Sequence, residues 1–363
     1  MGSLPSLPLL TPPSAEYRMY SAFCARTPSS HAKVCNWIES YNPSDNSWNC
    51  VGPIPGIPEK HVLKGFAMVA VGDSIYIIAG RLCYKEEAED GRGKEVDLAV
   101  LPSVLKYSVS TQKWSQCAPL GTPRFDFACT VCDNKIYVAG GQCSLACGRG
   151  VSSAEMYDPA IDGWTPLPDM STLRYKCVGV TWQGKIYVVG GFAERGDSDG
   201  RTVTFAMERS SAEVFDIWRG EWDLMVRMWR LDVPPNQIVA VNNKLYSSGD
   251  CLNTWKGHIE SYDGKLNIWN SVDGSHRRNF FSSSSDPMND ATQRIYLTMA
   301  PVGTQLYFLA GYSLEGETHK SVSVVHAFET SSRREEEAWT RMEPLEEEGE
   351  KELCSHCCVI QLS

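Results

Sequence analysis

Apolar and polar positions along this chain fall into short runs separated by turn residues. Five segments share one pattern, a β-branched and aromatic run that ends in small residues: Ile75–Gly80 (IYIIAG), Ile136–Gly141 (IYVAGG), Ile186–Gly191 (IYVVGG), Leu245–Asp250 (LYSSGD) and Leu306–Gly311 (LYFLAG). Each follows a turn pair: Gly72-Asp73, Asp133-Asn134, Gln183-Gly184, Asn242-Asn243 or Gly303-Thr304. Another strand-like run precedes the turn, as in Phe66–Val71 and Phe127–Cys132. Runs of this length bounded by Gly, Asn and Asp predict β-hairpins.

The tryptophans supply a second, longer period. Six of them follow an aromatic: Tyr41/Trp48, Tyr107/Trp114, Tyr157/Trp164, Phe215/Trp222, Tyr262/Trp269 and Phe328/Trp339. The first five pairs are seven residues apart and the sixth eleven, with Arg333, Arg334, Glu335, Glu336 and Glu337 widening the hairpin. Successive tryptophans of these pairs lie 66, 50, 58, 47 and 70 residues apart. Self-similarity at this scale marks one supersecondary unit copied along the chain. Each unit reads strand, tight turn, strand, variable loop, strand, turn, and a strand carrying the Trp.

The recurring glycine, Tyr and Trp positions resemble the kelch repeat over nearly the whole chain. The resemblance implies an all-β fold, a six-bladed kelch β-propeller in which each unit is one four-stranded blade. Inner strands flanked on both sides explain apolar runs without alternation. Glycines permit close backbone approach, and the Trp and Tyr rings are expected between blades as core. Five units are complete. The sixth is expected to be split between Tyr17–Ala25, Ile38–Tyr41 and Ser47-Trp48 at one end and His356–Gln361 at the other. Pairing N- and C-terminal strands in one blade would close the ring and leave no open sheet edge. Residues 1–16 are expected as a short flexible segment and residues 17–363 as a single propeller domain.

Charge and cysteine content narrow the functional classes. With 34 Lys+Arg against 44 Asp+Glu, the net charge is −10, which argues against non-specific nucleic-acid binding. The acidic stretch Glu343–Glu352 is expected at a solvated outer edge. No run of 18 apolar residues is present, so no stable membrane insertion is expected. Met1–Ser6 fits the loose N-myristoylation pattern, without a polybasic second anchor. There are 14 cysteines, many within apolar runs, and no Asn-x-Ser/Thr acceptor with a permitted middle residue. Both facts fit a reducing compartment, the cytosol and/or nucleus. Plant kelch propellers often follow an F-box and animal ones a BTB domain, either of which recruits a ubiquitin ligase. About sixteen residues precede the first strand here, too few for the roughly forty of a three-helix F-box. The chain thus looks like a plant-type kelch protein lacking an F-box, with a link to ubiquitin-mediated turnover expected only from family habit.

The candidate site comes from an arginine register. Arg124, Arg174 and Arg294 each stand thirteen residues before the repeat Tyr, at 137, 187 and 307. In kelch folds that point faces the mouth of the central channel. Three guanidinium groups there would suit a carboxylate, a phosphate or an acidic peptide segment. Equally, they could bond neighbouring backbone carbonyls. Phe125, Asp126, Tyr175 and Lys176 follow directly and would line the same rim. Arg81 follows a repeat glycine, and Trp255 is a candidate aromatic anchor in a loop. The long loops Arg81–Pro102, Phe192–Ser210 and Asn270–Gln293 would extend this binding face.

The expected function is therefore a non-catalytic adaptor or scaffold, a monomeric propeller with a protein partner and no cofactor. The alternative is an enzyme acting on a small anionic metabolite in the channel mouth, with Asp126, Tyr175 or His61 moving protons. The iron-dependent specifier proteins, which this architecture resembles, carry Glu-x-x-x-Asp-x-x-x-His; none of the seven histidines has that spacing. Cys143/Cys147 and Cys354/Cys357/Cys358 with His356 invite a zinc reading. The second group, however, lies on a predicted strand whose side chains alternate between faces. No metal site is expected.

Overall fold

The computed structural model describes residues 16–26, 35–86, 94–196, 202–203, 206–251, 258–272, 291–314, 320–332 and 338–362. Among these, the chain is all-β apart from one helical turn, Ala206–Arg209. Its small antiparallel sheets are those expected of a kelch architecture. Trp255, residues 333–337, most of Asn270–Gln293 and the first fifteen residues lie outside the described residues.

Six principal sheets follow one another, numbered I to VI here. Sheet I joins the two ends of the chain, in the order Ser47–Pro53, Trp37–Asn42, Glu16–Ala25, Lys351–Leu362. Sheets II to V begin with the inner strands Ala67–Val71, Ala128–Cys132, Val178–Trp182 and Ile238–Val241, each followed outward by three further strands. Sheet VI is built from Ala291–Val302, Gln305–Leu314, Lys320–Glu329 and Trp339–Arg341, with Leu345–Glu348 added against the third. Each inner strand lies beside the next, and the strands Ala291–Val302 and Ala67–Val71 both lie beside Lys351–Leu362.

The aromatic pairs are direct cross-strand partners, in the outer hairpin of every sheet. Their ring centroids lie 5.0, 5.1, 5.0, 5.0, 5.2 and 4.9 Å apart. The eleven-residue spacing of Phe328 and Trp339 preserves that pairing. Three tryptophans also reach the preceding sheet. Trp164, Trp222 and Trp269 donate Nε1–H to the carbonyls of Ala118, Pro168 and Met228, at 2.9, 2.8 and 2.6 Å. The tyrosine hydroxyl can hold the turn itself, as Tyr157 does with Asp162 at 2.6 Å and Tyr262 with Asn267 at 2.7 Å. Both turn residues are left-handed, with φ 47° and 56°.

The inner hairpins have the expected turn chemistry. Asp133-Asn134 and Asn242-Asn243 both carry two successive positive φ values, as a twisted two-residue hairpin requires. Gly141, at φ 88°, is a close approach as well: a Cβ there would lie 2.7 Å from the Phe127 Cβ. Apolar clusters fill the gaps between neighbouring sheets. One packs Ile75 and Tyr107 of sheet II against Ile38 and Ile360 of sheet I. Another packs Met19 and Tyr41 of sheet I against Leu309 and Val325 of sheet VI.

Polar contacts fasten the C-terminal strand. Lys351 is buried, with Nζ 2.7 Å from Glu39 and 2.6 Å from Glu347, and over the rings of Phe23 at 4.6 Å and Trp48 at 5.0 Å. Burial opposes its charge, but Tyr296, Glu39 and Glu347 outweigh that and raise its pKa. On the other side, Lys64 bridges Glu352 and Glu95 at 2.9 and 2.6 Å, and buried Lys85 bonds the carbonyl of Ala25 at 2.6 Å.

Two regions read as loops in the sequence are partly sheet. Arg81–Glu86 and Lys94–Val100 form a three-stranded sheet with His61–Lys64, and Phe192–Gly196 pairs with Leu173–Tyr175 and Thr202–Val203. Each long insertion finds its partner in the segment leading into an inner strand.

Arg124 and Arg174 belong to this framework. Both are fully enclosed, at 0% exposure. Arg124 donates to Gly140 O at 2.7 Å and Ser153 O at 3.0 Å, and pairs with Glu155 at 2.7 Å. Arg174 repeats the pattern with Gly190 O at 3.0 Å, Ser211 O at 3.2 Å and the Ser211 hydroxyl at 2.5 Å. Glu155 in turn accepts the backbone N–H groups of Gly121 and Thr122.

Two stability outcomes follow, measurable by chemical denaturation. Ile360→Ala, at 1% exposure, should cost about 2–5 kcal/mol, whereas Ile161→Ala, on a turn at 74% exposure, should stay within about 0.5 kcal/mol. Arg124→Ala takes the cation from the buried Glu155 carboxylate and the donor from the Gly140 carbonyl, and should cost about 3–5 kcal/mol.

Candidate functional site

The inner strands surround a channel of about 880 Å3. One end of it is built by residues two positions before each of four inner strands: Gly65, Asp126, Lys176 and Asn236. The first three are left-handed, with φ of 63°, 53° and 51°. The strain is held by a backbone chain around the mouth. Lys176 N–H donates to Asp126 O at 2.7 Å, and Asp126 N–H to Gly65 O at 2.8 Å. Non-glycine residues in this conformation persist where surroundings fix them, commonly at functional sites.

Charge gathers on this rim. Lys176 is exposed and forms no ion pair among the described residues. Arg81 lies 3.4 Å from Asp126 and 3.1 Å from Asp97, with its guanidinium 4.9 Å from the centroid of the Phe125 ring. Arg294 is half-buried, its pKa lowered by burial against the opposing influence of Tyr312, Asp250 and Cys251. The exposed Cys251 lies on the channel wall near both Lys176 and Arg294. Burial, with Asp250, raises its pKa despite these two cations.

The structure thus brings Arg81, Phe125, Asp126, Lys176 and the vicinity of Arg294 to one end of the channel. Phe125 is buried beneath Arg81, and Tyr175 is half-buried beside Phe192, their ring centroids 5.1 Å apart. Arg124 and Arg174 sit behind this rim, enclosed rather than displayed. Their shared register is real, but the carbonyls of Gly140 and Gly190, each sixteen residues onward, receive the guanidinium. His61 stands on the added sheet, 2.7 Å from the carbonyl of Glu59 and edge-on to Tyr84.

Asn236 and His356 are wall residues that the arginine register does not reveal. Asn236 was legible in the two-before-the-strand position it shares with Asp126 and Lys176. His356 had no such signal, since it lies on the C-terminal strand. Its imidazole is pushed down to about 4 by burial, with Asn236 acting the other way, and its Nδ1 is buried without a partner. The wall thiols are also poor proton donors to solvent. Burial raises Cys177 to about 11 and Cys357 to about 12. Among the described residues no group of three or more His, Cys, Asp or Glu is arranged to hold a metal ion. No described helix is long and apolar enough to cross a membrane.

The Kelch motif matches residues 123–171, which span the Arg124 clamp, the inner hairpin of sheet III and its Tyr157/Trp164 pair. An F-box/kelch-repeat protein of Arabidopsis thaliana is 31% identical over 185 residues, 50% of this chain and 46% of that protein. A second from the same plant is 33% identical over 157 residues, 40% of this chain and 38% of its own length. The Arabidopsis F-box/kelch-repeat protein SKIP30 is 27% identical over 229 residues, 61% and 57% of the two chains. The matched region spans about half the length of these relatives. With the motif match, these similarities and the sixfold recurrence of its aromatic hairpin, the chain belongs among the kelch-repeat proteins.

Proposed function

We propose that the chain is a non-catalytic protein-interaction module, a six-bladed ring closed through sheet I, that receives an acidic extended segment of a partner at the channel mouth. The observation that carries this reading is the rim itself. An exposed Lys176, fixed in a left-handed conformation, stands near Arg294 across Cys251, with Arg81 and Asp126 beside it. Fixed cations at an open, polar mouth favour carboxylates on a flexible chain. The closed ring is supported by the pairing within sheet I and by the apolar cluster between sheets VI and I. A single domain from residue 17 to the C-terminus, acting as a monomer in the cytosol and/or nucleus, completes the reading.

A link to ubiquitin-mediated turnover rests on the relatives, which are F-box/kelch-repeat proteins. The small-metabolite enzyme reading has less to draw on. The imidazole on the wall is depressed to about 4 and the nearby thiols are raised, so neither is poised to exchange protons near neutrality.

Affinity capture from cell extract tests this, comparing wild type with a Lys176→Glu/Arg294→Glu variant of matched circular dichroism. Recovery of specific partners should fall about tenfold or more in the variant. Ubiquitin-ligase subunits among the lost proteins would support the turnover link. Equal recovery from both proteins would remove the mouth as the binding site.

A further inference from the structure

Two of the cysteines lie at neighbouring positions across the seam where the ends of the chain meet. Cys24 lies on Glu16–Ala25 and Cys354 on Lys351–Leu362, adjacent antiparallel strands of sheet I. Cys24 pairs with Glu352, Phe23 with Leu353 and Ala22 with Ser355, so a register shift leaves Cys354 as the extra residue beside Phe23. Cys24 is 0% exposed and Cys354 8%, and both belong to the apolar cluster between sheets I and II. The two thiols influence each other's charge, and Cys354 Sγ lies 3.6 Å from the carbonyl of Glu352, the residue paired with Cys24. Cys354 also lines the channel, so a small solute in the channel reaches one member of the pair.

The surroundings make the two sulfurs unequal. Cys354 lowers the pKa of Cys24; burial opposes this, while Lys85 and Lys64 assist it. Burial, with Cys24, raises Cys354 well above the ordinary thiol value.

We propose that Cys24 and Cys354 form an oxidative modification site, at which hydrogen peroxide installs a disulfide across the seam between the N- and C-terminal strands. The Cys354 sulfur, which the channel reaches, attacks one peroxide oxygen as its proton leaves. The S–O bond forms, the O–O bond breaks, and the departing hydroxide takes up a proton to become water. Cys24 then gives up its proton, and its sulfur attacks the Cys354 sulfur. The S–S bond forms, the S–O bond breaks, and a second water leaves. Two thiols lose two electrons, and one peroxide is reduced to two waters. The bond ties residues 354 − 24 = 330 positions apart, so it constrains the unfolded chain strongly and holds the seam shut in the folded one.

The test uses the purified full chain, treated with hydrogen peroxide, alkylated under denaturing conditions, digested without reduction and read by mass spectrometry. The expected product is a pair of peptides joined through Cys24 and Cys354, lighter by two hydrogens than the reduced pair and separated by dithiothreitol. Cys24→Ser and Cys354→Ser should each lose it; either one suffices should the other fail to fold. Oxidation should raise the thermal midpoint of wild type by roughly 5 °C and leave the serine variants unshifted. Recovery of Cys24 and Cys354 as alkylated thiols after oxidation overturns the proposal. So does a bond from Cys24 to another cysteine, or a disulfide that leaves the midpoint where it was.

Discussion

The rest of the structure depends on the pairing of Lys351–Leu362 onto Glu16–Ala25. Every other principal sheet is drawn from one continuous stretch of the chain, so its strands join within a few tens of residues. Sheet I alone needs the two ends of the chain to meet. The cost is loop-closure entropy, which grows slowly with length and must be offset by contacts made only when the ends join. Those contacts are dense here. The strand buries Cys354, Cys358 and Ile360 against sheet II, seats Lys351 among aromatic rings and two carboxylates, and ties Glu352 to Lys64.

On the proposed ring closure, the channel takes its shape from that pairing. Its wall is made of inner strands, and Lys351–Leu362 is one of them, flanked by the inner strands of sheets II and VI. The rim at the other sheets is set by strained backbone, with Asp126 and Lys176 held left-handed by bonds that run from sheet to sheet. Buried Arg124 and Arg174 support this rim from behind. A guanidinium has several donors in a rigid fork, and here one nitrogen of each serves carbonyls, those of Gly140 and Ser153 or of Gly190 and Ser211, while the other serves a serine hydroxyl. The sheets thus fix the backbone that carries Asp126 and Lys176 at the mouth, which would lower the entropy lost on the proposed binding.

Much of the fold was legible because its signals are local. The Tyr/Trp pairs face each other across one hairpin, so a seven-residue spacing reports the register directly. Asn and Gly pairs mark the inner turns because few other residues adopt two successive positive φ values. The insertion after Gly80 was harder to read. Lys94–Val100 is largely exposed and charged, and its strand character comes from pairing with Arg81–Glu86, which its own composition does not reveal. The site was legible in position and not in direction. Spacing put Arg124, Arg174 and Arg294 at equivalent points, but the carbonyls within reach decide whether a side chain is enclosed or displayed. His356 and the Cys24/Cys354 pair escaped for a related reason: their neighbours come from the far end of the chain, and no periodicity records that.

Native-state hydrogen exchange across the full chain tests the terminal pairing most directly. If sheet I closes the molecule, amides of Lys351–Leu362 and Glu16–Ala25 should exchange as slowly as those of the inner hairpins at Lys135–Ala139 and Lys185–Val189, through the same global opening. Rapid exchange of Lys351–Leu362, with sheets III and IV still protected, would contradict the closure on which the channel mouth depends.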